Sequence, residues 1–212
     1  NLYNNIQGDD VRISDCLRTI NGSKNTLCIS QDKQFDYDQL NYDAVGGSIT
    51  VKDNFLSEND YNRLRGALIH HEFPWFLGYN VSGHDTDYQF GHHLYFKHQI
   101  RNHELFKLCQ PIFEKLGVYQ LTRVKFNLLT PTKYHKEHGI HKDDTYTGDL
   151  KVALMYFDDS NGYTKFDNNE KVLSKQNRVV IFNNSLPHTG STHTDDSPFR
   201  ITMNINYFEY RT

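Results

Sequence analysis

The segment His138-Gly139-Ile140-His141-Lys142-Asp143 carries the residue types best suited to chemistry in this chain. On extended backbone, positions i and i+2 point to one face, so His141 and Asp143 can grip a single ion together. A third ligand stands 47 residues later, at His188 in Ser185-Leu186-Pro187-His188-Thr189-Gly190. Two imidazoles and one carboxylate on one face of an octahedron leave three positions open. Such a set suits Fe(II) and lets it take a chelating cosubstrate and dioxygen. Twelve residues past His188, Arg200 and Thr202 share a face of Phe199-Arg200-Ile201-Thr202. A guanidinium fork pairs bidentately with a carboxylate, and a hydroxyl beside it can add a third hydrogen bond. An iron site with an arginine placed for a distal carboxylate describes a seat for 2-oxoglutarate.

Bland readings compete at each position. The chain has 12 histidines, so an isolated H-x-D match arises readily by chance. Its weight comes from the register with His188 and Arg200. His135, His138 and His141 form a rival H-x-x-H-x-x-H series that would suit zinc on a helix. Gly139, Pro131 upstream and the lack of an apolar helical stripe argue against a helix there. His70-His71 closes a helix, where cationic side chains suit the macrodipole. His92-His93 on a strand places one ring inward as core or pocket wall. Trp75, Tyr79, Tyr88, Tyr95 and Tyr134 read as core aromatics.

These residues need a scaffold. Gly46-Gly47 punctuates the chain before a strand at Ser48–Val51. Ser57 with Asp60 three residues on, followed by Tyr61, Leu64, Leu68 and Ile69, predicts a capped helix to about His71. Leu105, Phe106, Leu108, Ile112, Phe113 and Leu116 predict a second helix over 102–116, stopped by Gly117 and interrupted by Pro111. Strand signals cover Trp75–Tyr79, Gln89–Phe96, Tyr119–Leu129, Lys151–Phe157, Arg178–Phe182 and Phe199–Tyr207. Val152, Leu154 and Tyr156 oppose Ala153, Met155 and Phe157. Many short strands between Gly, Asn and Asp turns predict an antiparallel jelly roll buttressed by the preceding helices.

Composition bounds the rest. Length 212 fits one domain over 46–212 with an irregular, Asn- and Asp-rich extension over 1–45. The 23 basic against 26 acidic residues make a phosphate-neutralising nucleic-acid binder a poor fit. A mean hydropathy of −0.72 and the lack of a long apolar run predict no transmembrane helix. Asn1-Leu2-Tyr3-Asn4-Asn5 shows no signal-peptide pattern. Cys16, Cys28 and Cys109 are odd in number and lack metal spacing, which fits a reducing cytoplasm. The Asn- and Tyr-rich composition fits an AT-rich genome such as that of a phage or marine microbe.

Residues 120–208 resemble the 2-oxoglutarate- and Fe(II)-dependent oxygenases, in particular the prolyl 4-hydroxylase-like branch with its H-x-D…H…R pattern. The likeness includes the turn and strand Asn161-Gly162-Tyr163-Thr164-Lys165-Phe166 and the strand Asn177-Arg178-Val179-Val180-Ile181-Phe182. It implies a double-stranded β-helix (jelly-roll, cupin-like) fold, with His141, Asp143 and His188 as iron ligands. It also implies Arg200, assisted by Thr202, on the far carboxylate of 2-oxoglutarate, and Tyr156 near that cosubstrate. The implied activity is a dioxygenase, using Fe(II), 2-oxoglutarate and O2, that hydroxylates an unactivated C–H of a prolyl, amino-acid or peptide substrate. Two departures stand out: Asn127-Leu128-Leu129-Thr130 where relatives often carry a tyrosine, and Asn161 in place of the first glycine of a Gly-Gly turn. A nucleic-acid demethylating dioxygenase would share the triad, but it usually has a second arginine where this chain has Asn206. A cupin-like metal- or sugar-binding module would normally carry H-x-H and a glutamate.

Overall fold

The computed structural model describes residues 49–79, 81, 87–143 and 148–210. The extension expected over 1–45, with Cys16 and Cys28, lies outside the described residues. In chain order the elements are β1 (Thr50–Lys52), α1 (Glu58–Leu68), β2 (Phe76–Tyr79), β3 (Tyr88–Phe96), β4 (Gln99–Ile100) and α2 (His103–Lys115). Then follow β5 (Val118–Leu129), β6 (Lys151–Tyr156), β7 (Tyr163–Phe166), β8 (Lys171–Leu173), β9 (Arg178–Asn183), β10 (His188–Gly190) and β11 (Arg200–Glu209). The larger sheet runs β1-β9-β6-β11-β5-β3-β2, with β4 on β3, and the smaller runs β10-β7-β8. This is the double-stranded β-helix, with two helices as buttress.

Period-two patterning builds its layers. On β11, Ile201, Met203, Ile205 and Tyr207 join Val124, Phe126, Ala153, Met155 and Val179 in a core shared with Leu64, Leu68, Ile112 and Phe113 of the helices. Val152, Leu154 and Tyr156 of β6 turn the other way and pack with Phe166, Val172, Val180 and Phe182 between the sheets. Adjacent residues of one strand therefore serve different cores, as alternation requires. The inter-sheet apolar cluster fills one part of the sandwich. The remainder is polar, and the site lies there.

The helices start where side chains can satisfy their free N–H groups. Ser57 Oγ accepts from Asp60 N at 3.2 Å and Asn102 Oδ1 from Leu105 N at 3.0 Å. Gly117 follows α2 at φ +63°, a left-handed turn that glycine enters without Cβ strain. Pro111 sits inside α2, which continues to Lys115. Its missing bond falls on the carbonyl of exposed Lys107, while Leu105, Phe106, Cys109, Ile112 and Phe113 anchor the helix.

Two expectations are corrected. Helix α1 ends at Leu68, not near His71, because Ile69 is exposed and no buried residue anchors another turn. Of the five aromatics expected in the core, Tyr95 is buried and Trp75 half-buried, but Tyr79, Tyr88 and Tyr134 are exposed. Tyr79 pairs with Tyr88 where β2, the sheet's outermost strand on that side, meets β3. Among the described residues no further strand covers β2, and all four of its residues are exposed.

Candidate metal and cosubstrate site

His141 and His188 meet through backbone before side chain. They form an isolated antiparallel bridge, each N–H donating to the other's carbonyl at 3.0 Å. Residues 47 apart in sequence thereby become direct cross-strand neighbours, with ring centroids 5.0 Å apart. Each Nδ1 faces a backbone carbonyl, Gly139 O at 2.9 Å for His141 and Leu186 O at 3.3 Å for His188. A carbonyl can only accept, so Nδ1 carries the proton and Nε2 keeps its lone pair for a metal. Asp143 completes the group: Oδ1 is 3.9 Å from His141 Nε2, and Oδ2 is 3.8 Å from His188 Nε2. One ligand atom from each of the three lies within 4.8 Å of the others. The neutral–neutral–anionic donor set and its one-sided layout fit a divalent metal such as Fe(II).

A buried carboxylate needs support, and three side chains supply it. Arg123 Nη2 donates to Asp143 Oδ1 at 2.9 Å, while Asn204 Nδ2 and Asn206 Nδ2 donate to Oδ2 at 2.8 and 3.3 Å. Arg123 Nε also donates to Asn206 Oδ1 at 3.0 Å, which locks that amide's orientation. Burial pushes the Asp143 carboxyl up, but the Arg123 charge, His188 and the Asn204 bond together hold it below its ordinary value. Burial pulls His188 down, only partly opposed by Asp143. The triad is thus ionised at the carboxylate and neutral at this imidazole, as a divalent metal would require.

Arg200 is buried at the other end of the same cavity, which measures about 220 Å³. Its Nε donates to Ser174 Oγ at 2.6 Å, and its guanidinium lies 5.4 Å from the Tyr156 ring centroid. Nη2 has no hydrogen-bond partner among the described residues. Burial pulls the group below the ordinary arginine value, only partly opposed by Tyr156 and the Asp158 charge, yet an arginine stays charged. An orphaned cationic donor in a cavity fits the carboxylate of a diacid. A Cβ at Gly162 would stand 2.6 Å from Arg200 Cδ, so only glycine leaves the arginine its seat. Asn161, the departure beside it, bonds Thr194 through both ends of its amide, at 2.8 and 2.9 Å. It pins the neighbouring loop in a way a glycine could not.

Thr202 lines the cavity, opposite Tyr156 on one side and Asn127 on the other. Tyr156 is fully buried behind that wall, its hydroxyl donating to Thr164 Oγ1 at 2.8 Å. His138 also lines the cavity, with Nδ1 3.2 Å from Asp87 Oδ2, and Asp87 in turn pairs with Lys136. The chain around His135 and His138 is not helical, and these two rings bond Thr192 O and Asp87 instead of converging. His92 bonds Pro74 O and packs on Phe73, away from the metal face. Sequence reasoning missed Arg123, Asn204, Ser174 and Asp87. One signal was present: in β11, Arg200, Thr202, Asn204 and Asn206 make a polar period-two series inside an otherwise apolar strand.

Fold and site together define a double-stranded β-helix protein with a two-histidine, one-carboxylate face and an arginine-ended cavity. Among solved structures, it is similar to an oxidoreductase of the 2OG-Fe(II) oxygenase family from Burkholderia pseudomallei, with TM-score 0.57 and 11% identity over 79% of this chain and 87% of that one. It is also similar to a Pseudomonas putida prolyl-4-hydroxylase, at TM-score 0.50, 13% identity and coverage of 78% and 95%. A third is a Trichoplax adhaerens prolyl hydroxylase in complex with a hypoxia inducible factor peptide fragment, at TM-score 0.55, 12% identity and coverage of 76% and 83%. No family model matches the chain, and no curated protein matches its sequence. At these identities the likeness carries the fold. Among the described residues no helix is long and apolar enough to cross a membrane.

Proposed function

We propose that this protein is an Fe(II)- and 2-oxoglutarate-dependent dioxygenase that hydroxylates an unactivated C–H bond of a small-molecule or peptide substrate. The observation that carries the reading is one cavity holding His141, Asp143 and His188 together with a buried, unpartnered Arg200 nitrogen. With Fe(II) and 2-oxoglutarate bound, O2 would be the oxidant, one of its oxygen atoms ending in succinate as the cosubstrate loses carbon dioxide and the other in the substrate hydroxyl. The chain itself supplies placement. His141 and His188 offer Nε2, Asp143 brings the one anionic ligand, and Arg123, Asn204 and Asn206 hold that carboxylate still. Arg200 and Thr202 grip the distal carboxylate of the cosubstrate, and Tyr156 acts as a positioning residue beneath the guanidinium. Asp143 and the missing second arginine at Asn206 favour this reading over a cupin-like module or a nucleic-acid demethylase. A cytoplasmic setting belongs to the same reading, supported by the buried free thiol of Cys109.

The test is succinate release from 2-oxoglutarate by the iron-loaded protein, against prolyl peptides, free amino acids and nucleic acids. Release that needs iron and vanishes in Asp143→Ala is expected. Failure to bind both iron and 2-oxoglutarate would return the chain to the binding-module class.

A further inference from the structure

A further cation faces this cavity and has no role in the metal or cosubstrate reading. Lys125 lies on β5 between Arg123 and Asn127, all three facing the cavity, while Val124 and Phe126 face the helices. It sits opposite Asn204 of β11. The Lys125 side chain runs over Gly91 of β3, where an added Cβ would come within 3.0 Å of its Cε and 3.6 Å of its Nζ. The missing side chain at Gly91 is what makes room for the ammonium. Among the described residues no ion-pair contact or hydrogen bond holds Lys125, and the Asp143 charge acts on it only from a distance.

Its neighbourhood is also unsatisfied in the opposite sense. Asn204 donates Nδ2 to Asp143, an acceptor-only group, which fixes its amide orientation and leaves Oδ1 as a buried acceptor with no partner. A cationic donor and a neutral acceptor thus stand opposite one another, each lacking a complement. They lie beside Asp143, whereas Arg200 is four residues along β11, about 13 Å at strand rise. The charge balance points the same way. Among the described residues, Arg123, Lys125, Lys142 and Arg200 line the cavity against Asp143. Fe(II) and the 2-oxoglutarate dianion would cancel one another, and the positive excess of the walls would remain.

Resting on the oxygenase reading above, we infer that Lys125, seated over Gly91, anchors a carboxylate of the primary substrate, while Asn204 Oδ1 accepts a hydrogen bond from a donor beside that carboxylate. The substrate is then a small free acid of the α-amino-acid type, not an internal residue of a peptide. An internal residue would bring the N–H but no charge, leaving the half-buried ammonium without a counter-ion.

The experiment measures succinate release by the iron-loaded, full-length protein with each of the twenty L-amino acids, their methyl esters and capped prolyl tripeptides. Substrate-free consumption of 2-oxoglutarate by the wild type reports separately on the oxygenase reading. We expect at least one free acid to stimulate release several-fold, and its methyl ester to fail. Lys125→Met should raise KM for that acid roughly 10- to 100-fold, the size of a charge-assisted contact. Lys125→Arg should recover part of this, and Gly91→Ala, which crowds Cε, should raise KM in the same direction. The effect should fall on the acid and not on 2-oxoglutarate. The inference is overturned if the wild type consumes 2-oxoglutarate but no free acid stimulates it. It is equally overturned if esters or capped peptides stimulate as well as acids, or if Lys125→Met raises KM for 2-oxoglutarate instead. If no condition yields succinate, the oxygenase reading fails and this inference with it.

Discussion

Arg123 and Arg200 line one cavity from the neighbouring strands β5 and β11, yet they use their charge in opposite ways. Arg123 binds Asp143 through Nη2 and Asn206 through Nε, so its donors are engaged within the protein. Arg200 has only neutral contacts, Ser174 through Nε and the Tyr156 ring, and a buried Nη2 with no hydrogen-bond partner among the described residues. Removing a counter-ion from a buried charge costs several kcal/mol, so a fold keeps such an arginine where a ligand completes it. Under the proposed function, the contrast separates an arginine that supports a metal-binding carboxylate from one that a cosubstrate carboxylate would complete.

Several substitutions break or sharpen that contrast. Asp143→Ala should have the largest effect, because it removes the only anionic ligand and strips Arg123 of its partner. Metal analysis should find iron content lost, and unchanged stoichiometry would overturn the triad. Arg200→Ala should lower 2-oxoglutarate affinity at least ~100-fold, since two charge-assisted bonds are worth ~1.5–3 kcal/mol each and 1.4 kcal/mol is tenfold. Iron stoichiometry should stay at the wild-type value, and Arg200→Lys should keep only part of the affinity because it lacks the planar fork. Anaerobic titration of the iron complex measures both.

Arg123→Met should show the converse pattern. Metal affinity should fall roughly 10-fold or more, as for other groups that orient a ligand, with 2-oxoglutarate binding to the remaining iron complex little changed. Equal losses in the two arginine variants would erase the distinction. Smaller still is the glycine pair. Gly162→Ala should weaken 2-oxoglutarate binding about tenfold by displacing Arg200. Gly190→Ala, whose Cβ would stand at an ordinary 3.8 Å from Arg200 Nη1, should change it little. A further test concerns pH. Burial pulls Lys125 from 10.5 to about 8, with Arg123 adding to this and Asp143 opposing it. Between those values the unfolded chain binds the extra proton, so stability should rise with pH across that window. Lys125→Met should flatten the rise in urea melts run from pH 7.5 to 10.5.

Much of the scaffold was legible because alternation is a local property. Val152, Leu154 and Tyr156 against Ala153, Met155 and Phe157 separate into two cores as their spacing requires. Ser57 and the apolar stripe located α1, though Ile69 lost its place in the core to solvent. Other features were invisible. Tyr79 and Tyr88 have core-like side chains, but their exposure depends on which strand lies at a sheet edge, and Tyr134 lies in a bend between strands. Ser174 offers no motif, and it meets Arg200 only because the loop after β8 passes under β11.

The sequence by itself determined which groups could do chemistry. His141 and Asp143 stand two apart on extended chain, and Arg200 heads a strand whose alternate residues are apolar. Those relations span a few residues, where backbone geometry alone sets direction. Only the tertiary structure decided which groups meet: His141 bridged to His188, Arg123 laid on Asp143, Gly162 opened for Arg200, and Lys125 set over Gly91 opposite Asn204. Each of these contacts crosses between segments 20 or more residues apart, and strand register is set by the packing of both cores together and not by any residue's neighbours in sequence.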